Sequence, residues 1–327
     1  MPMYIPRGGE QTFAAPFVQT GTKLMGWLMK ADLAAQQSMI DRYLNAPMNG
    51  QSGFTYRALM PSVLFAIAPI EATRSLTEPD SGYGYTPETD VAFWVLVGRG
   101  HEENGRWKLD RLLWFLPYVF VDVPMTMATG REVYGYPKEI AYLTWPSGSR
   151  DPLVMSAETL VLPVYSPDTK LVRAPILEVR KTGGKPGILE RLGSAFGSLA
   201  PALAHLGLDA VEHPHTDLDV LGALEASLGK LEIPMVFLKQ FRDIVEPNAA
   251  CYQAIVESPA RLASIPIGWP TLEDVAITVY DYASHPIATE LGLGTPVDGK
   301  LTVNVPFGFE VHFDFVVELG QIVWKST

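Results

Sequence analysis

Cysteine is almost missing from this chain. One of 327 residues is a cysteine, Cys251, which excludes an intramolecular disulfide framework and a multi-cysteine zinc site. It lies in an alternating apolar stretch and reads as a buried, inert thiol rather than a nucleophile. Positive charge is scarce too: 25 Lys and Arg stand against 36 Asp and Glu, for a formal net charge of −11. No basic run occurs, which argues against binding nucleic acid through phosphate contacts. Long hydrophobic runs are also absent. The most apolar stretch, Leu112 to Val121, is broken by Pro117 and is too short to cross a bilayer as a helix. Met1 to Gly9 lack the apolar centre of a signal peptide, so a cytoplasmic protein with no membrane association is expected. Familiar catalytic signatures are missing as well: there is no Gly-x-Ser-x-Gly elbow and no His-Glu-x-x-His pair. Gly183-Gly184-Lys185 lacks the spacing of a phosphate loop and reads as a hinge. His213-Pro214-His215, beside Glu212 and Asp217, reads as a solvated turn more readily than as metal ligands.

What is present is a compact, β-rich chain. Apolar residues make up 47% and charged residues 19%, the balance of a globular protein with ample core. Period-two patterning dominates. Val311, Phe313, Phe315 and Val317 fall on one face of a strand, with His312, Asp314 and Glu318 on the other. Val275, Ile277 and Val279 repeat the pattern, as do Val91, Phe93, Val95 and Val97. Further strands are expected at Ser62–Ala68, Arg111–Val121, Leu153–Val164, Leu171–Lys181, Pro234–Arg242 and Ala250–Leu262. Turns rather than crossover helices separate most of them, which implies antiparallel pairing. So many long strands favour a closed barrel or two packed sheets, since an open sheet would expose its edges. Two helical regions interrupt the pattern. Asp32–Tyr43 offers Leu33, Ile40 and Leu44 to one face. The block at about 186–230 has Leu189, Leu192 and Phe196 at helical spacing. Its second half opens on Thr216-x-x-Asp219, which resembles a capping box. The expected organisation is a single domain spanning 1–327, with a helical insertion at about 186–230.

One segment carries chemistry: Gly130-Arg131-Glu132-Val133-Tyr134-Gly135-Tyr136-Pro137-Lys138-Glu139. Pro137 has a fixed φ and pushes Tyr136 toward extended geometry. If the segment is strand-like, Tyr134, Tyr136 and Lys138 share one face, with Gly135, Pro137 and Glu139 on the other. Two aromatic rings would then wall the amine off from water. A lysine titrates near about 10.4, so roughly one in a few thousand is the free nucleophile at neutral pH. Burial is able to lower that value by about three to four units. From the pattern alone, Lys138 is either a surface charge or a buried reactive amine. Arg131 and Glu132 are open between substrate contact and an internal ion pair or backbone brace.

The run from Gly130 to Lys138 resembles the Schiff-base lysine segment of acetoacetate decarboxylases, Gly-Arg-Glu-x-x-Gly-(Phe/Tyr)-Pro-Lys-Lys. Glu139 stands where that family has a second lysine, so activation of Lys138 by a neighbouring cation at that position is not expected. Glu139 reads as an outward structural carboxylate or as a proton shuttle. Gly82-Tyr83-Gly84-Tyr85-Thr86-Pro87-Glu88 is similar to the family segment that supplies an active-site glutamate. The resemblance gives that role to Glu88, which by pattern alone would be a solvated turn carboxylate. Val63-Leu64-Phe65-Ala66-Ile67 is similar to a strand that carries another active-site glutamate in the family, and Ala66 takes that place here. The family's substrate-binding arginine has no arginine counterpart around Thr20–Trp27, where Thr22 or Lys23 falls. The strands from Ala250 to Trp324, including Tyr280-Asp281-Tyr282-Ala283, follow the family's order, and the 186–230 block looks like an insertion relative to short members.

The resemblance implies an acetoacetate decarboxylase-like antiparallel β-barrel or pair of packed sheets, with peripheral helices, assembled as a homo-oligomer. It implies a lysine that forms a Schiff base with a small ketone or a 2-oxo or 3-oxo acid, with no metal or organic cofactor. Lys138 and Glu88 are then the catalytic candidates, and Tyr134 and Tyr136 line the substrate pocket. The protonated imine would be an electron sink for loss of CO2 or of a proton beside the carbonyl. The altered positions 66 and 139 and the missing arginine point away from acetoacetate itself and leave decarboxylation, aldol and dehydration chemistry open. The rival reading is a non-catalytic barrel that holds an apolar small molecule.

Overall fold

In strands β3 (Ser62–Ser75) and β4 (Thr86–Glu103), odd and even positions have different destinations. Val63, Phe65, Ile67, Val91, Phe93, Val95 and Val97 are buried in one large core. Ala66, Ala68, Ile70, Glu88, Asp90, Ala92 and Trp94 instead line a cavity on the opposite face. Both faces are covered, so these strands read as nearly continuous apolar runs. The computed structural model describes residues 3–6, 12–148, 151–183, 232–271, 274–305 and 308–326.

The other strands follow in chain order. β1 is Phe17–Lys30, β2 Thr55–Ala58, β5 Arg106–Val121, β6 Lys138–Ile140, β7 Tyr142–Thr144, β8 Leu153–Val161 and β9 Val172–Lys181. Beyond these lie β10 Glu232–Arg242, β11 Ala250–Leu262, β12 Ile267–Pro270, β13 Val275–Tyr280, β14 Lys300–Val305, β15 Gly308–Val317 and β16 Gln321–Lys325. Seven of them close a barrel in the order β15-β1-β3-β4-β5-β10-β11, with β11 pairing back to β15. An odd ring cannot alternate direction throughout, so one neighbouring pair must run parallel. That pair is β5 with β10, held by Met235 opposite Trp114 and Val236 opposite Phe115.

This short seam leaves the rest of the β5 edge open to another strand. β6 takes it, also parallel to β5, with Lys138 opposite Val119 and Ile140 opposite Val121. Pro117, which has no N–H to give a ladder, sits in the stretch of β5 between its pairings with β10 and β6. The proline therefore falls where its missing donor costs least.

A second, five-stranded sheet, β14-β13-β9-β8-β7, covers the outside of the barrel. Its Met155, Ala157, Leu177, Val179, Ile277 and Val279 enter the same core as the odd residues of β3 and β4. Four short helices complete the described fold: α1 Leu33–Ile40, α2 Ala46–Met48, α3 Pro124–Thr129 and α4 Ile287–Leu291. The Asp32 side chain caps α1 by accepting from Ala35 N at 2.7 Å. Among the described residues no helix is long and apolar enough to cross a membrane.

The expected strands form, and they pair antiparallel as the patterning implies except where β5 meets β10 and β6. Two expectations, those for Leu33 and Cys251, need amendment, and one strand, β1, was not anticipated. β1 escapes the period-two pattern because a bulge between Gln19 and Thr22, with Gly21 at φ +64°, resets its alternation. Leu33 stays exposed, since the buried side of α1 is Gln36, Met39 and Ile40 and starts one turn later. Cys251 is exposed rather than buried. The β10–β11 register jumps there, with Tyr252 opposite Phe241 and Ala250 opposite Arg242, so Cys251 is the extra residue of a bulge. The helical block expected at 186–230, with His213 and His215, lies outside the described residues.

Glu257 pins four strands together at one end of the barrel. Its buried carboxylate accepts from Tyr56 on β2 at 3.0 Å, Arg99 on β4 at 2.8 Å and Arg111 on β5 at 3.1 Å. Removing one member strands the others, which in buried networks costs about 3–5 kcal/mol. Glu257→Ala is expected to lower unfolding free energy by that amount in a urea titration.

Candidate active site

Lys138 begins β6 and reaches into the barrel through the seam between β5 and β10. Its Nζ lies 2.9 Å from Glu88 Oε2 and 3.0 Å from Asp90 Oδ1. Glu88 and Asp90 are two apart on β4 and so project on the same side. Glu88 is saturated with donors: its Oε1 accepts from Gln19 Nε2 on β1 and from Thr73 Oγ1 on β3, each at 2.8 Å. Gln19 Nε2 also donates to Thr73 Oγ1 at 3.1 Å. Three barrel strands thus fix one carboxylate. Asp90 is held less tightly, its side chain 26% open toward the cavity against 1% for Glu88.

The glycines of the motif explain how the lysine arrives. After α3 the chain makes one wider helical turn over Gly130–Tyr134 and stops at Gly135, whose φ of +90° favours glycine. A Cβ on Gly135 would sit 2.6 Å from the Lys239 backbone. A Cβ on Gly130 would sit 2.7 Å from Lys138 Cδ, so this glycine makes room for the lysine stem. Arg131 approaches the Lys138 carbonyl at 3.4 Å, a backbone brace, while Glu132 is exposed.

The segment is therefore not a strand through Tyr134 and Tyr136, because the turn and Gly135 break the alternation. Convergence survives by another route. Tyr134 donates to Glu318 O at 3.0 Å, and its ring lies edge-on to Tyr136 at 5.7 Å. The Tyr136 ring packs on Phe237 at 3.9 Å, with Lys138 Nζ 5.8 Å from its centre. Both tyrosines and the lysine line one cavity. Glu139 points away and meets His285 Nε2 at 2.8 Å, as the outward reading has it.

The charge state of the lysine departs from expectation. Burial pulls the Lys138 pKa down, but Asp90 and Glu88 together push it up further, and the net direction is up. Lys138 is buried as an ammonium, not as a depressed free amine. Burial would raise Glu88; the Lys138 charge and its hydrogen bonds outweigh that and hold it low. Asp90 goes the other way. Burial, joined by repulsion from Glu88, pushes it up to about 7 despite the lysine.

The cavity has a volume of about 110 Å³. Its size beside the lysine is set by small side chains: Ala66 lies opposite Ala92, and Ala68 opposite Asp90, across the β3–β4 pair. Thr22 lines it, while Lys23 turns outward to Glu310 at 3.0 Å. Thus all four expected residues, Lys138, Glu88, Tyr134 and Tyr136, meet at one cavity, and Glu88 is buried rather than a solvated turn residue. Asp90, Gln19 and Thr73 were not anticipated. Asp90 was detectable as a second acid two residues after Glu88 at the start of an apolar strand. Gln19 and Thr73 carry no local signal, since long-range pairing alone brings them in.

No protein-family model matches the chain, and no curated protein matches it in sequence. Solved structures do. An acetoacetate decarboxylase from Legionella pneumophila subsp. pneumophila str. Philadelphia 1 superposes with a TM-score of 0.58 at 14% identity, over 99% of this chain and 93% of that one. A second acetoacetate decarboxylase structure gives a TM-score of 0.53 at 12% identity, covering 96% and 92%. The chain has the acetoacetate decarboxylase-like fold, in line with the resemblance in its lysine motif.

Two outcomes test this geometry. Gly130→Ala should leave the circular dichroism spectrum intact but displace Lys138, read as a changed pH dependence of its reductive methylation. Asp90→Asn removes one of the carboxylates that raise the lysine pKa. Each unit of downward shift increases the free amine about tenfold at a fixed pH below the pKa. Methylation of Lys138 at pH 8, measured by peptide mass spectrometry, should therefore rise by roughly that factor per unit.

Proposed function

We propose that this protein is a lyase-type enzyme whose Lys138 forms a Schiff base with a small carbonyl compound. The observation that carries this reading is the position of the amine: buried, at the wall of a cavity, between two carboxylates of different proton affinity. A structural ion pair needs one carboxylate and no cavity. Burying three ionisable groups costs several kcal/mol per ion, and such clusters recur where chemistry is done.

The difference between the carboxylates supplies the proton inventory. Asp90, pushed up to about 7, is the group suited to take the proton from the Lys138 ammonium. The freed amine attacks the carbonyl carbon and a C–N bond forms. Asp90 returns the proton to the carbinolamine oxygen, which leaves as water. The product is an iminium that carries the positive charge the ammonium had, between the same two carboxylates. That charge draws electrons from the neighbouring carbon and lowers the barrier to losing a proton, or CO2, from it. Glu88, held low and tied to Gln19 and Thr73, is the fixed counter-ion. Tyr134 and Tyr136 close the wall and keep water from the iminium.

The test is borohydride trapping with acetone, acetoacetate and pyruvate, followed by peptide mapping. Lys138 should carry the reduced adduct, and Lys138→Arg, which keeps the charge, should carry none. Absence of label on a folded protein with every carbonyl compound tried would rule the reading out in favour of a passive ligand-binding barrel.

A further inference from the structure

Among the described residues that line the cavity, Lys138 is the one cationic side chain. It is already matched by Glu88 at 2.9 Å and Asp90 at 3.0 Å. Position 22 presents a threonine, and the neighbouring cation, Lys23, is turned outward to Glu310. Apart from Asp90 Oδ1, which faces the Lys138 ammonium at 3.0 Å, the lining polar atoms that are buried and without a hydrogen-bond partner are Thr22 Oγ1 and Trp94 Nε1. Neither bears charge. A substrate carboxylate would add negative charge beside Glu88 and Asp90 in a buried site whose one cation they already face, and like-charge juxtaposition costs several kcal/mol.

The space beside the amine has the opposite character. From Asp90 the wall of the cavity continues through Ala68, Ala66 and Ala92, a path that Leu24 and Leu116 also line. Methyl groups line that path, and Ala66 and Ala92 are each 2% exposed. A dry apolar cavity of about 150 Å³ accommodates benzene. The present 110 Å³ is smaller and suits a ketone of about four or five carbons by the same measure.

We infer, building on the reading of Lys138 as the imine-forming amine, that the substrate is an uncharged ketone or aldehyde with a short hydrocarbon arm, not an oxo acid. The carbonyl carbon lies at Lys138 Nζ and the arm lies along the three alanines. Condensation joins carbon to nitrogen, and the carbonyl oxygen leaves as water with one amine hydrogen and the proton held by Asp90, so the iminium keeps one N–H and no oxidation state changes. With no carboxylate to lose, the iminium gives up a proton from the adjacent carbon to a site carboxylate. The resulting enamine is a carbon nucleophile, which suits carbon–carbon bond formation or cleavage.

The experiment is borohydride trapping on the full chain with 2-butanone, 2-pentanone, 2-hexanone and 2-octanone, against pyruvate, acetoacetate and 2-oxohexanoate. The concentration that half-labels Lys138 should fall roughly three- to fourfold per added methylene up to about five carbons and rise again for the longer ketones. Oxo acids of equal length should need roughly tenfold more or higher. Ala92→Leu should move the best ketone to a shorter chain. Oxo acids that label as well as ketones of their length, or a flat dependence on chain length, would overturn the inference. Should no compound label Lys138, the Schiff-base reading itself fails. Calorimetry with 2-pentanone then decides the apolar arm: saturable binding weakened by Ala92→Leu keeps it, and no binding ends it.

Discussion

The contact between Lys138 and the carboxylates of Glu88 and Asp90 is the constraint around which the barrel is arranged. Bringing an ammonium and two carboxylates out of water is unfavourable unless geometry and hydrogen bonds compensate. The fold provides them from separate strands: Glu88 and Asp90 from β4, Gln19 from β1, Thr73 from β3 and the amine from β6. The closed ring brings these strands within reach of one another. An open sheet with the same residues would leave them in solvent, where the pair would be worth at most about 1 kcal/mol.

The seam makes the entry of the lysine possible. A seven-strand ring must contain one parallel pair, and here that pair is two residues long. The rest of the edge of β5 is left for β6, and Lys138 is its first residue. Pro117 fits the same geometry, as it removes a donor where β5 changes partners. Gly130 and Gly135 then permit the close approach and the left-handed turn that aim the lysine inward. The motif is in this sense a description of one turn: each glycine is required by a specific contact, and the arginine braces the backbone it leads into.

Much of this was legible from the chain. Alternation in β13 and β15 identified strands, because burial on one face selects every second residue, while β4 showed as large apolar residues at every second position of a run covered on both faces. The lysine motif identified the residue that reaches the cavity, because its glycines and proline are dictated by backbone geometry. Other features were hidden for physical reasons. β1 conceals its alternation behind a bulge at Gly21. Cys251 looks like a core residue until the register jump that expels it is known. Tyr134 and Tyr136 do reach the pocket, but around a helical turn and not along a strand. Gln19 and Thr73 become partners of Glu88 through pairings 69 and 15 residues apart in sequence, and no local pattern encodes such pairing.

The raised pKa of Lys138 bears on the proposed chemistry in a way that a single-residue view misses. Desolvation alone would give a good nucleophile at neutral pH and a poorly stabilised iminium, since burial disfavours both cations alike. Carboxylates reverse both effects: they make the free amine rarer, and they stabilise the iminium that forms from it. What matters for the sequence of steps is the difference between ammonium and iminium, and the site treats the two charges nearly equally. The proton lost by one carries the same sign as the charge regained by the other. A carboxylate whose own pKa lies near 7, as Asp90's does, can hold that proton in between. Glu88 could not replace it, because a group held low releases its proton too readily to return it to the carbinolamine oxygen. The pairing of a fixed carboxylate with an adjustable one is therefore the feature of this site that makes a resting ammonium compatible with imine chemistry.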